Sequence, residues 1–234
     1  MTGEGIALSA AIVLAGGRSS RMGQPKASLE WDGSPLLVRT IATLGRVAPR
    51  IVVVRAAGQE LPPLPPAVLV VDDAHPDRGP LEGLLAGLRV LEGPDDTAFV
   101  CATDMPLLHP RFVARVAALL RPDDDAAVPE VAGGRHPLAG VYRARLAPRI
   151  AARLDVGLLS LMGLLDACGA RSLDAATLLA DAALARDDPR LESLVNLNTP
   201  DQLRREKATR DPAAPSSSSR SHASAVAPAS EVTA

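Results

Sequence analysis

Short apolar runs rich in Val and Ile recur at residues 11–14, 51–54, 68–71 and 98–102. They read as buried strands. Longer helix-compatible segments lie between and after them, at 35–47, 81–91, 111–120, 148–154 and 158–168. Strands alternating with helices imply an α/β architecture, a mostly parallel sheet with helices on both faces. Residues 127–131 and 138–142 read as further strands flanking Gly133 and Gly134, in a hairpin-like excursion that carries Arg135, His136 and Pro137. The prolines at 62, 63, 65 and 66 demand a stiff extended connection. Thr199-Pro-Asp-Gln202 combines an N-cap threonine, proline at the first helical position and a capping-box glutamine, which starts a last helix at Pro200, ending near Ala208. Residues 209–234 are mostly Ser, Ala, Pro and Thr, too poor in large apolar groups to repay ordering. The expected division is one domain over 1–208 and a disordered, dispensable tail over 209–234.

Composition narrows the classes of partner. The 234 residues contain no apolar run of transmembrane length, and suffice for one large soluble domain. A net charge of −2 gives no electrostatic case for nucleic acid or an anionic membrane, and 2% aromatic residues leave no base-stacking platform. A small ligand is expected. Glu4 stands where a signal peptide would be basic, so cytoplasmic residence is expected. Cys101 and Cys168 lack the spacing of a zinc or redox pair and read as reduced structural thiols; His75, His109, His136 and His222 lack ligand spacing.

The chemistry concentrates in Leu14-Ala-Gly-Gly-Arg-Ser-Ser-Arg-Met-Gly-Gln-Pro-Lys26, where the first strand empties into a glycine-rich cationic loop. Gly16, Gly17 and Gly23 permit backbone amides to converge on an anion, and Arg18, Arg21 and Lys26 add full charges. Polyphosphate is the expected guest. A Walker loop is excluded because Gln24 and Pro25 separate Gly23 from Lys26, and adjacent Gly16 and Gly17 exclude the dinucleotide fingerprint. Ligands of open α/β sheets collect at the carboxyl ends of strands. The glycine loop follows the first strand, Asp72 and Asp73 the third, and Asp104 the fourth, so all point to one rim. A carboxylate in the place of Asp104 suits Mg²⁺, which takes oxygen ligands while bridging substrate phosphates; a turn or N-cap aspartate is the other reading.

The loop pattern resembles the signature of nucleotidyltransferases, and most of all that of the molybdenum cofactor guanylyltransferases. Gly79-Pro-Leu-Glu-Gly83 with Ala86-Gly-Leu88, Ala102-Thr-Asp-Met-Pro106 and Asn196-Leu-Asn-Thr-Pro200 occur in that family's order. The resemblance implies a Rossmann-like nucleotidyltransferase fold and Mg²⁺-dependent transfer of GMP from GTP to molybdopterin, with release of pyrophosphate. It implies metal binding at Asp104, triphosphate contacts from Arg21 and Lys26, and nucleotide contacts from Leu14, Ala15, Gly16, Gly17, Asp73, Gly79, Pro80 and Leu81. Asp72 competes with Asp73 for the base-binding role. Asn196 or Asn198 reads as a second metal ligand or as a turn residue, Arg18 as a ligand or a solvated side chain. Arg135 and His136 are expected on the acceptor side. Transient contact with proteins that supply or receive the cofactor is the expected partnership, without nucleic acid or membrane. Use of CTP, a sugar-phosphate acceptor, or a catalytically silent nucleotide-binding module are the alternatives.

Overall fold

All five residues of the first strand, β1 (Ala10–Leu14), are buried, and their side chains divide between two separate cores. Ala11 and Val13 enter one; Ala10, Ile12 and Leu14 enter the other. The two-residue period of the pleat produces that division, and a strand covered on both faces must be apolar throughout. The computed structural model describes residues 7–16, 27, 29–31, 33–197 and 202. The loop residues 17–26, Asn198, the helix expected from Pro200 and the tail from 209 lie outside the described residues, Gln202 apart.

A two-stranded hairpin, β2 (Glu30–Trp31) and β3 (Ser34–Pro35), precedes α1 (Leu36–Leu44), β4 (Ile51–Ala56) and β5 (Leu69–Asp73). A 3-10 turn, Pro76–Arg78, leads into α2 (Pro80–Leu88), followed by β6 (Thr97–Ala102) and α3 (Pro110–Ala118). Then come β7 (Ala126–Val131), β8 (Gly134–Arg135), β9 (Ala139–Arg143), α4 (Ala147–Asp155) and α5 (Leu161–Ala167). Finally β10 (Ala170–Leu173) leads to α6 (Ala175–Leu179) and α7 (Ala182–Asp187). The main sheet has the order β10-β7-β9-β6-β1-β4-β5, with β8 paired to β7. β1, β4, β5 and β6 run parallel, as do β7 and β10, while β9 is antiparallel to both β6 and β7. One core packs α1, α3, α6 and α7 on one face of the sheet; the other packs α2, α4 and α5 on the opposite face.

The expected mostly parallel sheet with helices on both faces is present, with corrections of detail. Asp72 and Asp73 do not follow the third strand; they are its last two residues. The helix expected at 158–168 begins only at Leu161, because Ser160 takes an extended conformation and its hydroxyl accepts from the Gly163 amide at 3.1 Å. Elements absent from the expectation are the strands β2, β3, β8 and β10 and the short helices α6 and α7.

Two glycines seat α2 against β1. A Cβ at Gly87 would lie 2.6 Å from Ile12 Cγ2, and one at Gly83 would lie 3.3 Å from Leu14 Cδ2. Their spacing of four residues puts both on one helix face, so the helix approaches the strand more closely than any larger side chains permit. At the far end of the sheet, buried Arg143 donates to the carbonyls of Asp124 at 3.0 Å and of Asp95 and Arg121 at 3.1 Å. Those bonds join the loops before β6 and β7 to the end of β9. Replacing Gly87 by Val is expected to destabilise the fold by about 1–3 kcal/mol through overpacking against Ile12. Urea unfolding should show it as a lowered midpoint at unchanged slope; an unchanged midpoint would mean that α2 does not depend on this contact.

Candidate active site

At the carboxyl ends of β1, β4, β5 and β6 a cavity of about 420 Å³ opens, lined by Leu14, Gly16, Val54, Asp73, Asp77, Gly79, Pro80, Gly83, Ala102 and Leu138. Parallel pairing brings these strand ends together, with Leu14 in register with Val54 on one side and Ala102 on the other. Gly16 lies so close to β4 that a Cβ there would stand 3.1 Å from the Ala56 amide nitrogen. Bare backbone therefore forms that wall. Across the cavity, Gly79 holds φ at +72°, a conformation that strains other residues, and turns the chain into α2 with Pro80 at its start. The N-terminal end of α2 thus faces the cavity and carries the positive end of the helix dipole.

Asp73 brings the principal acidic group. It is buried, its Oδ1 accepts the His75 amide at 2.9 Å, and burial pushes its carboxyl above the usual carboxylate range. The His75 hydrogen bond opposes that rise, while the charge of nearby Glu82 reinforces it. Glu82, also buried in the first turn of α2, has Oε1 3.2 Å from His75 Nδ1 and Oε2 3.7 Å from Arg78. Asp72 faces the other way, exposed, and its Oδ1 accepts from Arg55 Nε at 2.7 Å. Strand alternation therefore gives the cavity Asp73 and denies it Asp72.

Asp104 stands two residues beyond the end of β6 and is 8% exposed. Its carbonyl accepts the Leu197 amide at 2.9 Å, which draws the segment containing Asn196 to the same rim. A second tie lies nearby: buried Ser193 accepts the His109 amide at 3.0 Å, and the Asp188 carboxylate accepts the amides of Glu192 and Ser193 at 2.6 and 3.1 Å. Leu197 packs with Trp31 and Leu36 in a small third core, so the chain re-entering after the glycine loop meets the Asp104 side of the site.

Several expected residues differ in what they can offer. Leu81 is fully buried in the core beneath the cavity, which leaves its backbone alone for a ligand. The side chain of Ala15 also enters the core; its N–H donates to the Val54 carbonyl at 2.7 Å and its C=O accepts from Gln59 Nε2 at 2.9 Å. Asn196 is exposed. Arg135 is ion-paired with Asp166 at 2.6 Å, and the His136 amide donates to the Pro129 carbonyl at 2.8 Å. The excursion that carries them meets the cavity wall at Leu138. Gly17, Arg18, Arg21 and Lys26 lie outside the described residues, as does Asn198; the chain leaves the description at Gly16, on the cavity, and Ala27 is fully buried. Sequence reasoning missed Val54, Asp77, Ala102 as a wall residue, and Leu138. The rim argument applied to the ends of the second and fourth apolar runs reaches Val54 and Ala102, but no motif marks Asp77 or Leu138.

Among the described residues no group of three His, Cys, Asp or Glu side chains could hold a metal ion by itself. Mg²⁺ does not need such a cage, since it takes one or two carboxylates and completes its shell with water and substrate phosphate. A single hard-oxygen carboxylate at Asp104 therefore fits it. No described helix is long and apolar enough to cross a membrane.

Residues 11–172 match a family described as the MobA-like NTP transferase domain. A probable molybdenum cofactor guanylyltransferase of Mycobacterium bovis (strain BCG / Pasteur 1173P2) is 38% identical over 164 residues, 69% of this chain and 81% of the relative. One from Mycobacterium avium (strain 104) is 36% identical over 167 residues, 70% of this chain and 84% of the relative. The solved structure of molybdopterin-guanine dinucleotide biosynthesis protein A from Archaeoglobus fulgidus shares the fold, with a TM-score of 0.65 at 22% identity over 86% of this chain and 99% of that one. The chain is a nucleotidyltransferase and belongs to the MobA-like NTP transferase family.

Proposed function

We propose that this nucleotidyltransferase works in the cytoplasm, transferring GMP from GTP to the phosphate of molybdopterin with Mg²⁺ as metal. The observation that carries the reading is the cavity itself: Gly16, Gly79, Pro80 and Asp73, drawn from three separate segments, wall one space at the strand ends. Backbone at Gly16 and the N-terminal end of α2 suit phosphate oxygens. Asp73 suits the base, because a carboxylate accepts from both the N1–H and the exocyclic amine of guanine. Its burial strengthens those bonds by excluding competing water.

The acceptor is a phosphate monoester, with a second ionisation near pH ~6, so at neutral pH it is mostly a dianion. Its oxygen attacks the α-phosphorus of GTP, the new P–O bond forms, the bond from the α-phosphorus to the bridging oxygen breaks, and pyrophosphate leaves with that electron pair. A nucleophile already ionised needs no general base. What the protein must supply is alignment and positive charge where negative charge spreads. Arg21 and Lys26 serve the triphosphate and the departing pyrophosphate. Asp104, with Asn196 or Asn198, would hold the metal, which would supply charge neutralisation to the triphosphate. Arg135 and His136 receive the acceptor, and residues 209–234 take no part. The proteins that deliver molybdopterin and collect the product make only transient contact.

Pyrophosphate release should be measured with each nucleoside triphosphate and molybdopterin. GTP is expected to be preferred, and a preference for CTP would overturn the guanine assignment. Asp104→Asn is expected to lower turnover by roughly a hundredfold or more with an unshifted melting temperature; near-normal Mg²⁺-dependent turnover would remove Asp104 from the metal. Lys26→Ala should weaken GTP binding roughly tenfold, as for a lost charge-assisted hydrogen bond, with little change in stability. Calorimetric titration of GTP checks this, and an unaltered dissociation constant would place Lys26 away from the triphosphate.

A further inference from the structure

Gln59 carries no motif, lies three residues beyond β4 and does not line the cavity, yet its side chain joins the roots of two walls. Gly58, with φ at +75°, turns the chain back so that the Gln59 amide donates to the Ala56 carbonyl at 2.9 Å. The side chain then reaches across: Oε1 accepts from the Ala56 N–H at 3.1 Å, and Nε2 donates to the Ala15 carbonyl at 2.9 Å. One primary amide thus bridges the end of β4 to the last peptide before Gly16. The Ala56 nitrogen it engages is the atom that a Cβ on Gly16 would crowd, at 3.1 Å.

The same node extends to the opposite wall. Arg55 Nη1 donates to the Gln59 carbonyl at 3.0 Å while its Nε donates to Asp72 Oδ1 at 2.7 Å. Arg55 and Asp72 are register partners across β4 and β5, as are Ala56 and Asp73. The neighbour of Asp72 is therefore the carboxylate that enters the cavity. A continuous bracket runs from the root of the glycine loop, through Gln59 and Arg55, to the strand end that carries Asp73.

We propose that Gln59 is a positioning residue for nucleotide binding, which sets the Ala15–Gly16 peptide against β4 and ties it through Arg55 and Asp72 to the Asp73 wall. The inference rests on the nucleotide reading of the cavity. Gln59 needs both ends of its amide: an oxygen for Ala56 and an N–H for Ala15. Methionine, of similar length, offers neither. Glutamate keeps the acceptor for Ala56 but turns an oxygen toward the Ala15 carbonyl, so attraction there becomes repulsion. No site residue is altered by either change.

The test is calorimetric titration of the full-length wild-type, Gln59→Met, Gln59→Glu, Arg55→Met and Gln59→Met/Arg55→Met proteins with GTP and Mg²⁺, alongside melting temperatures and a separation of kcat from KM. Gln59→Met is expected to raise the dissociation constant and KM roughly tenfold, with kcat within about twofold and the melting temperature nearly unchanged. Gln59→Glu should bind more weakly still, and the double variant should lose less than the product of the single losses, because both residues belong to one bracket. Gln59→Met binding within about twofold of wild type, or losses at 59 and 55 that multiply independently, would overturn the proposal while leaving the cavity's function intact. Should Gln59→Met lose its fold, the Gln59→Glu comparison decides alone. Failure of the wild-type protein to bind GTP, CTP, ATP or UTP would remove the nucleotide reading and this inference with it.

Discussion

Burial of the central sheet on both faces governs the rest of the molecule. β1 has no exposed side chain, and β4 and β6 bury their apolar residues to either side of it. Strands so covered can present chemistry only at their ends. The cavity lies at their carboxyl ends, where Leu14, Val54, Asp73 and Ala102 come together. Gly83 and Gly87 extend this constraint to α2, since the close seating they permit on Leu14 and Ile12 holds the helix N-terminus at the cavity.

The fold was legible where physics repeats itself along the chain. Runs such as Ile51 to Val54 read as strands of a doubly covered sheet because they are short and rich in β-branched residues. β10 was not legible, as its four residues include Arg171 and Ser172 and owe their pairing to β7. The start of α5 was missed because Leu158 and Leu159 look helical until the Ser160 cap is seen. Exposure of Leu158 at 50% shows that the apolar character there does not reflect core packing.

The site divides in the same way. The glycine loop, Asp72 and Asp73, and Asp104 point to one rim through strand polarity alone, whereas Gly79-Pro80 is marked by the family resemblance. The choice between Asp72 and Asp73 needed the register, which turns one carboxylate toward Arg55 and the other into the cavity. Leu81 and Ala15 belong to the right segments but spend their side chains on the core. Gln59 and the Ser193 tie left no trace in any motif, because each works through main-chain atoms brought together from distant parts of the sequence. Side chains that hold backbone in place are the least legible part of such a site.

On the proposed function, the glycine-rich cationic loop and Asp104 hold one magnesium nucleotide between them. A crystal structure of the protein with GTP and Mg²⁺ checks this directly. The triphosphate is expected between Gly16, Lys26 and the start of α2, with the base at Asp73 and the metal on Asp104. A nucleotide bound elsewhere, or a metal bridged to its phosphates without Asp104, would contradict it.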